Sequence, residues 1–141
     1  MKVNILRVSE ILLGFIFLLA GFNGYLVLFG FEPLFPTSPK AMEFLGTGYF
    51  LAMEKTAEII CGLLLLIRRF IPLVVLILAQ LIINILAFHI FVDHELLPLA
   101  IFISVLEGVL IWGYRKNFFA LIGKTKEVYP SISEDETHKT M

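Results

Sequence analysis

The chain has 141 residues, 59% of them apolar and 16% charged, with a mean hydropathy of +0.93 and a formal net charge of −1. Soluble domains carry about 25% charged and about 45–50% apolar residues, so this composition excludes a water-soluble globular enzyme and a disordered chain. The near-neutral balance gives no bulk attraction for phosphate and no nucleic-acid partner is expected, while a lone cysteine, Cys61, excludes an intrachain disulfide or a Cys-x-x-Cys pair.

Four long apolar segments follow one another. The first runs over about 10–31, with Asn23 its only strongly polar interior residue. It is longer than the apolar stretch of a signal peptide and has Arg7 and Glu10 close by, so a retained span is expected. Ala20, Asn23 and Gly24 read as helix packing. Pro33, Pro36 and Pro39 mark an irregular first loop. The second segment covers about 48–67, the third about 70–92 and the fourth about 96–114. Pro72 and Pro98 fall in the first turns of the third and fourth, where a missing N–H is tolerated. From Lys124 to the end, residues 124–141 read as a polar, disordered tail. No internal repeat or second domain is visible.

Each segment holds close to the ~20 residues that cross ~30 Å of hydrocarbon as a helix. None shows the alternation of a barrel strand, so helices are expected. The predicted fold is all-α: an integral membrane up-down four-helix bundle over residues 1–123. Of the eleven basic residues, nine (Lys2, Arg7, Arg68, Arg69, Arg115, Lys116, Lys124, Lys126, Lys139) lie at the N-terminus, in the second loop or after the fourth segment. The positive-inside rule makes that side cytoplasmic, with both termini. Trp112 and Tyr114 beside Arg115 suit the cytoplasmic interface.

The candidate site residues are the polar groups inside these segments: Glu54, Lys55 and Glu58 in the second, Gln80 and Asn84 in the third, and Glu107 in the fourth. In the second segment three central charges, at about 3 kcal/mol each, outweigh nine large apolar residues at about 0.5 kcal/mol each. Its polar face must therefore point into a bundle, with charges paired. Lys55 and Glu58 are i,i+3 neighbours and form the expected pair, with Glu54 nearer the outer water. Glu58 lies ten residues from Arg68, about 15 Å deep. Gln80 is predicted at similar depth, with Asn84 one turn outward on the same face. Glu107 lies about 12 Å from the level of Arg115, with Ser104 and Gly108. His89, Asp93, His94 and Glu95 carry no metal-site spacing and read as a solvated surface. No second histidine offers a haem ligand within a segment, and Cys61 reads as an inert filler.

Lys55-x-x-Glu58, the following Ile59-Ile60-Cys61-Gly62-Leu63-Leu64-Leu65 and then Arg69-Phe70-Ile71-Pro72-Leu73 resemble the core of the DoxX-like family. Asn84-Ile85-Leu86, Phe88-His89 and Tyr114-Arg115 add to the likeness, which covers roughly residues 10 to 122. Two positions depart from the family pattern: Gln80 stands where a proline is common, and Asn23-Gly24-Tyr25 lacks a common lysine. The family comprises small four-helix bacterial membrane proteins, some of them subunits of thiosulfate:quinone oxidoreductase or partners of membrane oxidoreductases. The resemblance implies a bacterial inner-membrane protein that serves a quinone-linked redox system without a redox centre of its own. Its expected partners are the lipid bilayer, other membrane or peripheral redox proteins and a second copy of the chain. Two other readings compete with it, a non-catalytic membrane scaffold and a small proton-coupled transporter using Glu58 or Glu107.

Overall fold

The computed structural model describes residues 2–46 and 48–123; the predicted tail, 124–141, lies outside the described residues. All regular structure among the described residues is helical: α1 (Val3–Leu28), α2 (Pro39–Leu45), α3 (Tyr49–Leu66), α4 (Ile71–Phe91), α5 (Leu97–Gly113) and α6 (Arg115–Ile122).

The helix ends follow from local chemistry. α1 begins seven residues before the apolar run, because the i,i+3 pair Arg7–Glu10 extends the helix where hydropathy has already fallen. It ends at Phe29, after which Gly30 takes the left-handed conformation at φ 79 that a glycine adopts without strain. The predicted irregular first loop contains α2. Ser38 caps it by accepting from the Ala41 N–H at 3.2 Å, and Pro39 opens its first turn. Between α3 and α4 the chain turns through two left-handed non-glycine residues, Arg68 at φ 58 and Phe70 at φ 55. At Tyr114 the chain bends by 68° into α6.

α1 packs most extensively on α3 and also on α5, while α4 packs on α5 and α3. The α1–α3 seam is close because glycines face it: a Cβ on Gly62 would lie 2.6 Å from the Gly14 carbonyl oxygen. A core including Leu13, Phe17, Leu65, Val75, Leu78 and Leu110 fills the interior. Outward faces are also apolar, with Phe15 and Phe22 of α1, Leu73 and Ile83 of α4, and Phe102 and Val105 of α5 all exposed. Helices apolar all round belong in lipid rather than water. α1 and α4 are each long and apolar enough to cross a membrane, and α5 with α6 meets the same measure as one bent pair. α3, with 18 residues, carries Glu54, Lys55 and Glu58 and does not.

Two ends can be distinguished. One gathers the start of α1, the α3–α4 turn and α6, joined through Glu10, Arg68 and Tyr114. The other gathers the α1–α2 loop, α2 and the α4–α5 turn, joined through Ser38 and Asp93.

Candidate functional site

The charges of α3 form a compact triad. Lys55 Nζ donates to Glu58 Oε1 at 2.8 Å and to Glu54 Oε1 at 3.3 Å. Lys55 and Glu58 are buried, and Glu54 is nearly so. Their helix turns this face inward, where α1 makes room for it. Gly24 seats the lysine stem, since a Cβ there would lie 2.4 Å from Lys55 Cδ. Tyr25 adds a hydrogen bond with Thr56 at 2.5 Å on the same seam.

Above this triad lies a cavity of about 300 Å³. Glu54, Lys55, Glu58 and Asn84 line it, among apolar residues such as Phe17, Phe35, Phe88, Leu99 and Ile103. Four of the six sequence candidates are thus brought together. The other two are not. Gln80, exposed as Asn84 also is, does not line the cavity, to which α4 contributes only from Asn84 toward His89. One turn along α4, about 6 Å, separates Gln80 from Asn84 and carries it past the cavity. Of the two α4 amides predicted on one face near the depth of Glu58, only Asn84 joins Glu58 at the cavity.

Glu107 is 3% exposed, and neither of its carboxylate oxygens has a hydrogen-bond partner among the described residues. Ser104, predicted on its face, instead donates to the Ala100 carbonyl at 2.7 Å. A buried polar group without a partner costs about 1–3 kcal/mol. Glu107→Leu, close in size and apolar, is accordingly expected to raise the Tm of the detergent-purified protein. A fall in Tm would show that the carboxyl has a stabilising partner.

The cavity is covered by residues that the sequence reading left at the surface. His89 and Asp93 are buried rather than solvated, because the α1–α2 loop folds over them. Ser38 Oγ donates to Asp93 Oδ2, and His89 Nδ1 lies 2.7 Å from the Asp93 carbonyl oxygen. The Ser38 hydroxyl, then the Glu95 backbone N–H, hold the Asp93 carboxyl below its ordinary value. Lys40 Nζ reaches the Val92 carbonyl at 3.3 Å. Asn23 secures the loop from below: its Oδ1 accepts from Leu34 N–H at 2.6 Å and its Nδ2 donates to the Phe35 carbonyl at 3.2 Å. Serine, histidine and aspartate meet here, but the hydroxyl donates to the carboxylate and the imidazole faces a backbone carbonyl. That wiring lacks the hydroxyl-to-imidazole bond a nucleophilic serine needs. The contact with the carbonyl does fix the orientation of the His89 ring. Nδ1 carries a proton toward that carbonyl, and His89 lines the cavity.

At the opposite end the sequence reading missed a second constellation. Glu10, taken as a boundary residue, is fully buried and bonded on both oxygens. Arg7 Nη1 and Arg68 Nε each lie 3.1 Å from Oε2, and Tyr114 Oη donates to Oε1 at 2.5 Å. One carboxylate thereby ties α1, the α3–α4 turn and the end of α5. The signal available in the sequence was the i,i+3 spacing of Arg7 and Glu10; the other partners are 58 and 104 residues further along. Among the described residues, no three His, Cys, Asp or Glu side chains come together as a metal site.

No family model, curated protein or solved structure matches the chain.

Proposed function

We propose that the chain is a four-span protein of the bacterial inner membrane, DoxX-like in kind, whose cavity holds the head group of a quinone for a neighbouring oxidoreductase. The observation that carries this reading is an apolar cavity floored by a buried, only partly satisfied ion pair. Lys55 uses two of its three ammonium donors on glutamates, which leaves one for a ligand carbonyl oxygen. Glu58 lines the cavity and its enclosed Oε2 has no partner among the described residues, so a small shift of the carboxylate would offer it to a ligand hydroxyl. Asn84 supplies an amide from the cavity wall, and Phe17, Phe35 and Phe88 suit an apolar ring. The protein's role is to bind and orient; electron transfer belongs to the partner.

In this reading α1, α3, α4 and α5 form the up-down four-helix bundle, with each of the pair α1 and α4 packed against both α3 and α5. The inward turn of the Lys55 triad supports a crossing α3, because paired charges facing the bundle cost less than charges facing lipid. Lys2, Arg7, Arg68, Arg69, Arg115 and Lys116 mark the cytoplasmic end, whereas the cavity end carries Lys40 against Glu32, Glu43, Asp93 and Glu95. With Cys61→Ala as background, cysteines placed at Thr37 and His94 should react with an impermeant reagent added to intact cells, and one at Lys116 should not. The reverse pattern refutes the orientation.

Quinone should travel with the protein purified in mild detergent and appear on chromatography of the organic extract. Glu58→Gln and Asn84→Leu should each lower its occupancy about fivefold, the equivalent of one hydrogen bond at about 1 kcal/mol, while circular dichroism stays unchanged. Absence of quinone from the wild type, with normal complex assembly by both variants, would overturn the redox reading in favour of a scaffold.

A further inference from the structure

The end of the molecule away from the cavity carries an unusual charge distribution. Its described residues include the cations Lys2, Arg7, Arg68, Arg69, Arg115 and Lys116 and a single carboxylate, Glu10. That carboxylate is 0% exposed and shared by Arg7 and Arg68, so it offsets one of these six charges and leaves five in excess. Between the α3–α4 turn and α6 lies an open basin of about 490 Å³, lined by Arg68, Phe70, Ile71, Pro72, Tyr114 and Asn117.

The basin is shaped by backbone that chains rarely adopt without a reason. Arg68 and Phe70 both sit in the left-handed region, which disfavours residues with a Cβ. Arg68 meets Glu10 through Nε and Tyr114 also lies against its guanidinium, yet the four N–H groups of the two terminal nitrogens exceed what Tyr114 can accept and leave donors in this planar fork for an anion. The side chain is about half exposed at the rim. On the far wall α6 leaves the axis of α5 by 68° and exposes Phe119, Leu121 and Ile122. Phe70 and Trp112 are exposed at the same level, each with an arginine over its ring, Arg69 at 5.6 Å and Arg115 at 4.7 Å. A polar cationic rim beside apolar side chains is what a molecule with an anionic head and hydrocarbon tails requires.

We infer that this basin is a binding site for the phosphate head group of an anionic phospholipid, held by the Arg68 fork and Asn117, with its acyl chains against Phe70, Pro72 and the apolar side of α6. The inference rests on the membrane reading of the chain and is independent of the quinone proposal.

The test uses the full chain reconstituted in nanodiscs of phosphatidylglycerol and phosphatidylcholine in equal amounts, then released for native mass spectrometry. The wild type should retain phosphatidylglycerol about tenfold in preference to phosphatidylcholine. Arg68→Gln should abolish the preference and Asn117→Leu should reduce it, both with helicity intact. Equal retention of the two lipids by the wild type would overturn the site, as would an undiminished preference in folded Arg68→Gln. Should loss of the Glu10 bond unfold that variant, Asn117→Leu decides, and an undiminished preference there overturns the site. Failure to enter nanodiscs at all would instead refute the membrane reading on which the site depends.

Discussion

Lys55→Met should be among the most damaging single substitutions in this protein. It leaves Glu58, 2% exposed, and its neighbour Glu54 without their shared cation. Removing one member of a buried pair typically costs about 3–5 kcal/mol. The double variant Lys55→Met with Glu58→Gln should recover much of this loss, because the charge stranded deepest is also removed. Glu54 remains, so recovery should be incomplete, and adding Glu54→Gln should complete it. Folding yield and Tm in detergent report all three. Additive losses across the series would mean that the triad does not act as a unit.

Gly62→Val should rival that loss by a different route. A Cβ at Gly62 would sit 2.6 Å from the Gly14 carbonyl oxygen and 2.7 Å from the Leu18 backbone nitrogen. Both obstacles are main chain, so no rotamer change relieves them, and α1 must move away from α3. Overpacking in a well-packed interior costs about 1–3 kcal/mol, and here the displaced helix also disturbs the Gly24 seat of Lys55. Gly108→Ala provides the contrast, since nothing lies within 4 Å of its added carbon. That change should stabilise α5 by up to about 1 kcal/mol through helix propensity. Opposite shifts in Tm are the expected result; equal shifts would refute the close seam.

The positions of the long helices were readable because each coincides with an apolar run: 48–67 against Tyr49–Leu66, 70–92 against Ile71–Phe91. Where hydropathy and helicity part company, the reading failed. It started α1 too late and missed α6, whose polar opening Arg115-Lys116-Asn117 lies beyond the last apolar run. It also read the first loop as irregular and passed over the capping pair Ser38-Pro39 that opens α2. The Lys55–Glu58 pair was legible because i,i+3 neighbours on a helix must meet. The facing of Gln80 was not: a helix as uniformly apolar as α4 has no amphipathic phase from which to tell which side looks inward. Burial of His89, Asp93 and Glu10 was equally hidden, because loops and helices distant in sequence supply it.

The Glu10 knot has a mechanical consequence. Three short polar bonds converge on a single side chain there and pin α1, the α3–α4 turn and α5 to one point. At the other end Tyr25 ties α1 to α3 through Thr56, whereas the end of α4 is bridged from outside the long helices, by Ser38 on Asp93 and Lys40 of α2 on Val92, contacts that can let go without disturbing a long helix. Local opening follows the weakest set of contacts. The molecule is therefore built like a clothes-peg, stiff at the jaw that faces the arginines and compliant at the jaw that holds the cavity. Local opening should begin on the compliant side.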